Sequence, residues 1–458
     1  MASSASPSPA SPIVPFGRAM RDAHFAFSPE YTPINHGSYG TYPVSVREAH
    51  AALRAEVEAA PDRFLVLEWP TRLRESRAAI ADILNCETDD LVFVPNATTG
   101  SDTVFKNLKW EPGDVILVYE VVYESARGGL AWLEETFGVR VEVVPLKIPL
   151  TDAELVDAVI GAARRINQNQ DLGDGKVRER VRLAIVDTIV SMPGLRIPFE
   201  ILVPALQAEG ALVLVDGAHG IGHVDIDLAK LNPDFLMTSL NKWLFVPRGV
   251  SALYVPKRNQ KLIRTSLPTS YRFRKHAGEA GEDSNAFVEL FNFIATLDMT
   301  NFLMVQPALA FRAQICGGED AIRGYCRSIA RKGGEAAASI LGTEIMDSPD
   351  SRMRECYFAN VRLPLELAAN NDDSRIGDER VSEDKGNIPL QHAAKVIQWF
   401  KETGVRESGC YFQTCVYRGA LWWRLSGMIY VDVDDFRKSA EVMKGLCQRA
   451  AGGEYLGK

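Results

Sequence analysis

Short apolar runs alternate with longer amphipathic stretches between residues 91 and 255, and no other feature of the sequence limits the fold as strongly. The apolar runs have the length of buried strands, and the stretches between them have a helical period. Strands are predicted at residues 91–95, 114–119, 139–145, 182–187, 211–215, 235–238 and 250–255. Strands that are apolar on both faces and joined by helices form a mostly parallel sheet that is covered on both sides. The sequence therefore predicts an α/β fold whose ligand site lies beyond the carboxyl ends of the strands.

Length and a change of pattern predict two domains. A chain of 458 residues is longer than one hydrophobic core usually serves. After residue 307 the predicted elements are a helix (308–341), a strand (356–363), a second helix (393–403) and a strand–turn–helix that ends at residue 450. The predicted parts of the chain are a flexible tail (1–15), an N-terminal segment that joins the small domain or the active-site entrance (16–60), a large domain (61–300), a small C-terminal domain (301–450) and, within it, an exposed loop (370–387).

Composition excludes several classes of protein. Acidic side chains outnumber basic ones by 59 to 51, and the resulting formal charge of −8 argues against a protein that covers nucleic-acid phosphates. No apolar run reaches the roughly 18 residues that a membrane-spanning helix needs, so no membrane partner is expected. The seven cysteines are scattered without a CxxC pair, and residues 1–15 lack the apolar core of a secretory signal. These features predict reduced thiols and a cytoplasmic protein.

Two neighbouring strands are each followed by a charged residue. The strand at 211–215 runs into Asp216, and the strand at 235–238 is followed by Lys242 beside Trp243. Desolvation disfavours the ammonium form of a lysine, and only the neutral amine attacks a carbonyl to form a Schiff base. Taken alone, Asp216 is more often a helix cap or turn residue, and Lys242 a lysine that extends its ammonium group to solvent.

A third stretch of the sequence is suited to bind a phosphate group. Residues 96–100 (NATTG) lie between a strand and a helix, where free backbone N–H groups and hydroxyls bind phosphate. Ser239 supplies a further hydroxyl shortly before Lys242. A phosphate site, a carboxylate for a ring nitrogen and a lysine for an aldehyde are what pyridoxal 5′-phosphate (PLP) requires. The sequence therefore predicts a PLP site.

Metal and dinucleotide sites are the alternatives for the stretch after Asp216. His219 and His223 are four residues apart, but Gly220 and Gly222 argue against a helix that would align them, so no metal is expected. The glycines of this stretch also have the wrong spacing for the GxGxxG loop of dinucleotide-binding proteins.

Six motifs carry a resemblance to a known family. They are residues 34–40 (INHGSYG), 94–100 (VPNATTG), 215–220 (VDGAHG), 242–249 (KWLFVPRG), 267–270 (LPTS) and 423–426 (WRLS). With them the chain resembles the class V aminotransferase family of fold-type I PLP enzymes. Within that family it is similar to isopenicillin N epimerase-like proteins, to the fungal ergothioneine-pathway C–S lyase (hercynylcysteine sulfoxide lyase) and to loline-type PLP cyclases. The resemblance implies a large domain with a mostly parallel seven-stranded sheet, a smaller α/β C-terminal domain and a homodimer.

Carried over by position, the resemblance implies roles for single residues at the cofactor. Lys242 would hold the PLP aldehyde as a Schiff base, and Asp216 would pair with the ring nitrogen. The other implied contacts are His219 and Ser191 near the phenolic oxygen, Thr98, Thr99 and Ser239 at the phosphate, and Thr269 or Ser270 arriving there from a partner subunit. Tyr123 would stack on the ring and act as an acid or base, with an ordinary packed aromatic side chain as the alternative.

The resemblance also implies residues for the substrate. Arg424 matches the clamp for the substrate carboxylate, because a guanidinium meets a carboxylate through two parallel hydrogen bonds. Arg418 is a rival for the clamp, and Arg424 could instead stack on Trp422 or Trp423. Asn35 and His36 are expected to line the substrate entrance, or else to be turn residues.

We therefore expect an enzyme that acts on an amino acid through a quinonoid or carbanion. The favoured outcome is elimination at Cβ or Cγ, such as C–S cleavage. The alternatives are a cyclase that forms a C–C bond as in the loline type, or an amino-acid epimerase of fungal secondary metabolism. An aminotransferase or a non-catalytic PLP-fold protein is expected less. Departures from the family pattern at Asn241, Glu124 and residues 417–421 all fall around the substrate, so the substrate stays open.

Overall fold

The computed structural model describes residues 14–168, 178–270, 272–273, 285–348, 350–368 and 388–457. Residues 1–13 of the predicted tail and the whole predicted loop at 370–387 lie outside this part of the chain. Within it, no helix is both long enough and apolar enough to cross a membrane.

Seven strands of the described chain form one large sheet. The strands in chain order are β1 (Leu91–Val94), β2 (Asp114–Tyr119), β3 (Arg140–Val144), β4 (Arg180–Asp187), β5 (Ile189–Val190), β6 (Leu195–Arg196), β7 (Leu212–Asp216), β8 (Phe235–Ser239), β9 (Ser251–Tyr254), β10 (Phe358–Ala368), β11 (Ile388–Pro389), β12 (Gln413–Tyr417) and β13 (Ala420–Ser426). The large sheet has the order β1-β9-β8-β7-β4-β2-β3, and only β9 runs against the others. These are the seven strands predicted from the apolar runs, so the α/β fold with a mostly parallel sheet is confirmed.

Both faces of the large sheet are buried. In β1, Leu91 and Phe93 belong to one hydrophobic cluster, and Val92 and Val94 belong to a second one. Because side chains of a strand alternate between the two faces, the clusters lie on opposite sides of the sheet. An apolar residue at every position is what a strand between two helical layers needs.

The helices cover both sheets. They are α1 (Arg18–His24), α2 (His36–Tyr39), α3 (Val44–Ala59), α4 (Pro61–Arg63), α5 (Trp69–Leu84), α6 (Ala97–Asn107), α7 (Glu124–Phe137), α8 (Asp152–Gln168), α9 (Phe199–Ala208), α10 (Leu228–Leu231), α11 (Leu240–Trp243), α12 (Ala286–Asn292), α13 (Val305–Ala310), α14 (Glu319–Leu341), α15 (Ala393–Ser408) and α16 (Val433–Ala451). Short 3₁₀ and π-helical turns join some of them.

The C-terminal part of the chain has its own sheet of four strands, in the order β11-β10-β13-β12. Helices α14 and α16 pack against each other and against β10. The later part of β10 alternates between buried and exposed residues, unlike the strands of the large sheet. The predicted strand–turn–helix at the end of the chain is a hairpin of two strands followed by α16. The domain boundaries themselves stay a prediction.

The single helix predicted over residues 308–341 is wrong. The chain forms α13, a π-helical turn (Phe311–Ile315) and then α14, with Gly317 and Gly318 before the second helix. Both glycines have positive φ angles, 77° and 90°, which an α-helix cannot contain. The apolar period continues across the break, and for this reason the pattern alone predicted one helix.

Candidate active site

A cavity of about 470 Å³ lies beyond the carboxyl ends of the strands of the large sheet, where chemistry was expected. Its wall combines residues that follow β2, β5 and β8 with residues of the N-terminal segment and of the C-terminal part. The lining residues are Gly37, Ser38, Tyr39, Val121, Val122, Tyr123, Glu124, Arg127, Ser191, Met192, Lys242, Lys401, Tyr411 and Gln413. Both parts of the chain therefore contribute to one cavity.

Lys242 lies on α11, the short helix that follows β8. His36 holds this helix from behind, because its Nε2–H donates to the Lys242 carbonyl oxygen and its Nδ1 accepts from the Tyr430 hydroxyl. Burial lowers the pKa of His36 to about 3, so the ring stays neutral in this position. Gly40 lets the N-terminal segment pass close to α11, since a Cβ at this positive-φ residue would collide with the Asn241 carbonyl oxygen.

The amine of Lys242 faces a histidine whose tautomer can be deduced. The indole Nε1–H of Trp243 donates to Nδ1 of His219 at 3.2 Å, and burial lowers the pKa of His219 well below its usual value. Neutral His219 must therefore carry its proton on Nε2, which lies 3.2 Å from Nζ of Lys242. Only an uncharged amine has a lone pair to accept that proton. Burial also lowers the pKa of Lys242 to about 8, against the opposing charge of Asp216. Burial thus makes the neutral amine, which is the form that attacks an aldehyde, far more accessible than in an exposed lysine.

Two carboxylates end neighbouring strands beside this amine. Asp187 at the end of β4 is in register with Asp216 at the end of β7. Asp216 accepts the N–H of Ala218 on Oδ1 at 2.9 Å, and among the described residues nothing donates to its Oδ2. Asp187 accepts the Tyr119 hydroxyl at 2.7 Å. Burial raises the pKa of both carboxyl groups, and the charge of Asp216 raises that of Asp187 further. Oδ2 of Asp216 is thus open to a cationic partner such as a protonated ring nitrogen.

Hydroxyl and N–H groups gather at the start of α6, a helix of 11 residues. Asn96 caps it, since its side chain accepts the Thr99 N–H at 2.8 Å. The Thr98 hydroxyl lies 3.0 Å from that of Ser125 on α7, so the first turns of two helices meet here. Ser239 is buried at the end of β8. The donors at the start of α6 suit a phosphate group.

Arg424 on β13 of the smaller sheet is buried next to the cavity, whose lining includes its partners Ser38 and Ser191. Its guanidinium donates to the Ser191 carbonyl oxygen at 2.6 Å and to the Ser38 hydroxyl at 2.9 Å, and it lies 3.5 Å from Oδ1 of Asn35. It also stacks over the Phe358 ring, 4.4 Å from the centroid. All these partners are uncharged, and burial lowers the pKa of Arg424 to about 10. A buried guanidinium whose described contacts include no carboxylate is suited to bind one from a ligand.

The other residues implied by the resemblance lie at the edge of the site. Tyr123 precedes α7, lines the same cavity as Lys242 and is 49% exposed. Thr269 is exposed and Ser270 is buried in a surface turn outside the cavity lining. Their arrival at the phosphate of a partner subunit stays a prediction.

Two expectations differ from the positions in the structure. His36 does not line the entrance, because it is buried behind Lys242 and bonded to its backbone. Arg418 is not a rival for the clamp, because it lies exposed in the hairpin turn between β12 and β13 and lines a different cavity. Asn241, where the chain departs from the family pattern, donates from its side chain to the Tyr39 carbonyl oxygen.

Sequence reasoning missed several side chains of the site. Asp187 ends an apolar strand in the same way as Asp216, so the same pattern, a carboxylate directly after an apolar run, marks it in the sequence. Its partner Tyr119 ends β2 and gave no signal beyond an apolar strand. Ser38 and Trp243 lie inside motifs that were recognised, but their contacts with Arg424 and His219 depend on tertiary structure.

Comparisons with known proteins agree with this geometry. Residues 65–277 match the family model described as aminotransferase class-V. The chain is 33% identical to the L-cysteine desulfhydrase-like protein lolT1 of Epichloe uncinata, over 96% of this chain and 98% of that protein. It is 29% identical to the hercynylcysteine sulfoxide lyase of Schizosaccharomyces pombe, over 94% and 98% of the two chains. A solved structure of the cystine C–S lyase C-DES has a similar fold, with a TM-score of 0.65 at 17% identity over 91% of this chain and 97% of that one.

Proposed function

The chain belongs to the class V aminotransferase family. From this premise we propose that it is a lyase that eliminates a group from Cβ or Cγ of an amino acid, with C–S cleavage as the favoured case. It is a PLP-dependent enzyme of that family. The observation that carries the proposal is the closeness of two cationic groups at one cavity. Lys242 lines the cavity and has a pKa lowered by burial, and Arg424 lies behind the lining residues Ser38 and Ser191, with uncharged partners among the described residues. The names of the two relatives, a desulfhydrase-like protein and a sulfoxide lyase, support C–S cleavage.

The donors around the cavity fit PLP. When bound, PLP supplies an aldehyde for the bond to Lys242 and a ring that takes up the electron pair freed at the substrate Cα. Asp216 would hold the proton of the ring nitrogen on its open Oδ2. The other proposed cofactor contacts are His219, Ser191, Thr98, Thr99, Ser239 and Tyr123, with Thr269 or Ser270 supplied by the partner subunit.

The residues of this chain would then divide the reaction among them. Arg424, oriented by Asn35 and Ser38, holds the α-carboxylate of the substrate and turns its Cα–H toward Lys242. Nζ of Lys242 removes that proton as a free amine. The Cβ–S bond breaks as a Cα–Cβ double bond forms, and the sulfur leaves with the electron pair of the broken bond. The hydroxyl of Tyr123 gives the departing sulfur a proton.

Assembly and location are further parts of the proposal. We propose a homodimer, because the start of α6 is exposed at Thr98 and a partner subunit could cover the phosphate there. Cytoplasmic location is supported by the cysteines, all seven of which are free thiols. A role in secondary metabolism rests on the resemblance alone. Sedimentation of the holoenzyme at several concentrations would measure the oligomeric state.

The reaction type can be tested directly on the purified holoenzyme. With an S-substituted L-cysteine in deuterated water, a lyase releases thiol, ammonia and pyruvate in equal amounts. A cyclase or an epimerase begins with loss of the same α-proton, but it releases none of these. An epimerase returns a deuterium-labelled amino acid, and a cyclase consumes the substrate without liberating ammonia. Release of ammonia with pyruvate is expected, and deuterium exchange without it contradicts the lyase.

The role of Lys242 needs a separate measurement. Reduction with borohydride should fix PLP covalently to the protein, and peptide mass mapping should locate it on Lys242. Lys242→Ala should lose both the label and the visible absorption band of bound PLP. Lys230→Ala, at an exposed lysine of α10, is the matched control and should keep both. Label on another lysine would contradict the assignment.

A further inference from the structure

The cavity next to Lys242 contains charged side chains that the proposed chemistry does not use. Besides Lys242, the charged residues of its lining are Glu124, Arg127 and Lys401. Among the described residues none of these three forms an ion pair, whereas half-buried arginines such as Arg72 and Arg449 each contact two carboxylates. Unpaired charges that face one cavity point to charged groups on the ligand.

Lys401 differs from the other cations of the lining. It projects from α15 and is half-buried beside Tyr411 and Gln413, and no described residue gives its ammonium group a hydrogen-bond or ionic partner. The guanidinium of Arg127, by contrast, donates to the backbone carbonyl oxygens of Glu120 and Val122. Lys401 is therefore the cation of the lining that is most open to a ligand.

The proposed position of the substrate directs its side chain toward this lysine. Arg424 takes the α-carboxylate, and the α-amine must lie next to Lys242, the residue that would hold the cofactor aldehyde. The substituent on Cβ then has to extend through the rest of the cavity, whose side formed by the C-terminal part carries Lys401, Tyr411 and Gln413. A lysine, a phenol and an amide can each donate a hydrogen bond to one carboxylate. Glu124, the acidic residue of the lining, disfavours a more highly charged anion.

We propose that the group that leaves the substrate carries a carboxylate and that Lys401 binds this carboxylate. The inference rests on the proposed function, because it takes the substrate to be an amino acid held by Arg424. It names the substrate class as cysteine conjugates with an acidic substituent, in contrast to free cysteine.

Two probes that differ only in charge test the inference on the holoenzyme. They are S-(2-carboxyethyl)-L-cysteine and its neutral isostere S-(2-carbamoylethyl)-L-cysteine. Titration of the visible cofactor band measures the Kd of each without need for turnover. The wild type should bind the carboxylate probe about tenfold more tightly, as expected of one charge-assisted hydrogen bond in a half-buried site. Lys401→Met should remove this preference, and Lys401→Arg should keep it.

The control is Lys395→Met, which removes an exposed lysine from the same helix and should leave both Kd values unchanged. Equal affinity of the wild type for the two probes would overturn the inference, as would a preference that survives Lys401→Met or a cofactor band that responds to neither probe. A preference that depends on Lys401 without release of thiol would support the carboxylate site and contradict the proposed lyase function.

Discussion

The inner wall of the cavity and its outer rim are built in different ways. The wall is Lys242, which lines the cavity, with the buried side chains of Asp187, Asp216, His219 and Arg424 around it, and the rim is the lining residues Tyr39, Tyr123, Glu124 and Lys401. Wall side chains lie in the strands or just after them, and each is bonded to a neighbour or to the backbone. Rim side chains belong to loops and helices and are exposed or half-buried.

The difference separates reaction chemistry from substrate choice. Charges in the wall act on each other, since Asp216 raises the pKa of Lys242 and Arg424 lowers it, on top of the larger effect of burial. Rim residues have no such effect on Lys242. The proton affinity of the Lys242 amine is therefore set by the wall, while the rim contributes contacts to the substrate and, at Tyr123, a proton donor that also raises the pKa of Arg424.

Asp216→Asn is the change with the largest expected effect. An amide cannot hold the proton of the ring nitrogen, so the ring loses its capacity to take up electrons, and kcat should fall about 10³-fold. Steady-state release of thiol measures this, while the visible band should remain. Asp187→Asn, which removes the carboxylate in register with it, is the matched control and should cost much less. Equal losses would mean that the two carboxylates act as one unit, and they would contradict the assignment of the ring nitrogen to Asp216 alone.

Arg424→Ala should come next. Loss of a bidentate contact to a carboxylate in a buried site should lower kcat/KM about 100-fold, mainly through KM. Arg418→Ala removes the rival arginine from the exposed hairpin turn and should have wild-type kinetics. Steady-state kinetics of both variants with the same cysteine conjugate provide the comparison. A loss in Arg418→Ala as large as that in Arg424→Ala would contradict the position of the clamp.

The wall was more predictable from sequence than the rim. The ends of the apolar strands located Asp216 and, through the turn after β8, Lys242, because burial of a parallel sheet requires an unbroken apolar run that ends visibly. The same signal at Asp187 was present in the sequence. Rim residues such as Lys401 lie on surface elements where many sequences are compatible with the fold, so no local pattern marks them.

Tertiary contacts account for the remaining differences. His36 lies in a motif of the entrance segment, yet its ring is bonded to the Lys242 backbone from behind. That contact joins residues 206 positions apart, and no spacing rule predicts it. The break at Gly317 and Gly318 was visible as a glycine pair, but the apolar period on either side concealed it.

Tyr123→Phe tests whether the rim takes part in chemistry. The ring should still cover the cofactor, but the departing sulfur would lose its proton donor. General acids usually contribute more than tenfold, but 49% exposure lets water replace the hydroxyl, so kcat should fall only about tenfold. Tyr39→Phe, at a second exposed tyrosine of the rim, should leave kcat unchanged. Leaving groups of lower pKa should reduce the effect in Tyr123→Phe, and an effect independent of the leaving group would contradict the role as acid.

The smallest effect expected is a shift in the pH at which the cofactor-free protein captures PLP. Burial lowers the pKa of Lys242 to about 8, so the neutral amine, and with it the capture rate, should rise with pH and level off above that value. Arg424 adds a positive charge that also lowers this pKa, so Arg424→Ala should raise the midpoint by less than one pH unit. Stopped-flow absorbance across the pH range measures the midpoint. Lys401→Met, which removes a cation of the rim, should leave it unchanged. A shift in Lys401→Met as large as that in Arg424→Ala would mean that the rim is electrostatically coupled to the amine, and the separation between chemistry and substrate choice would fail.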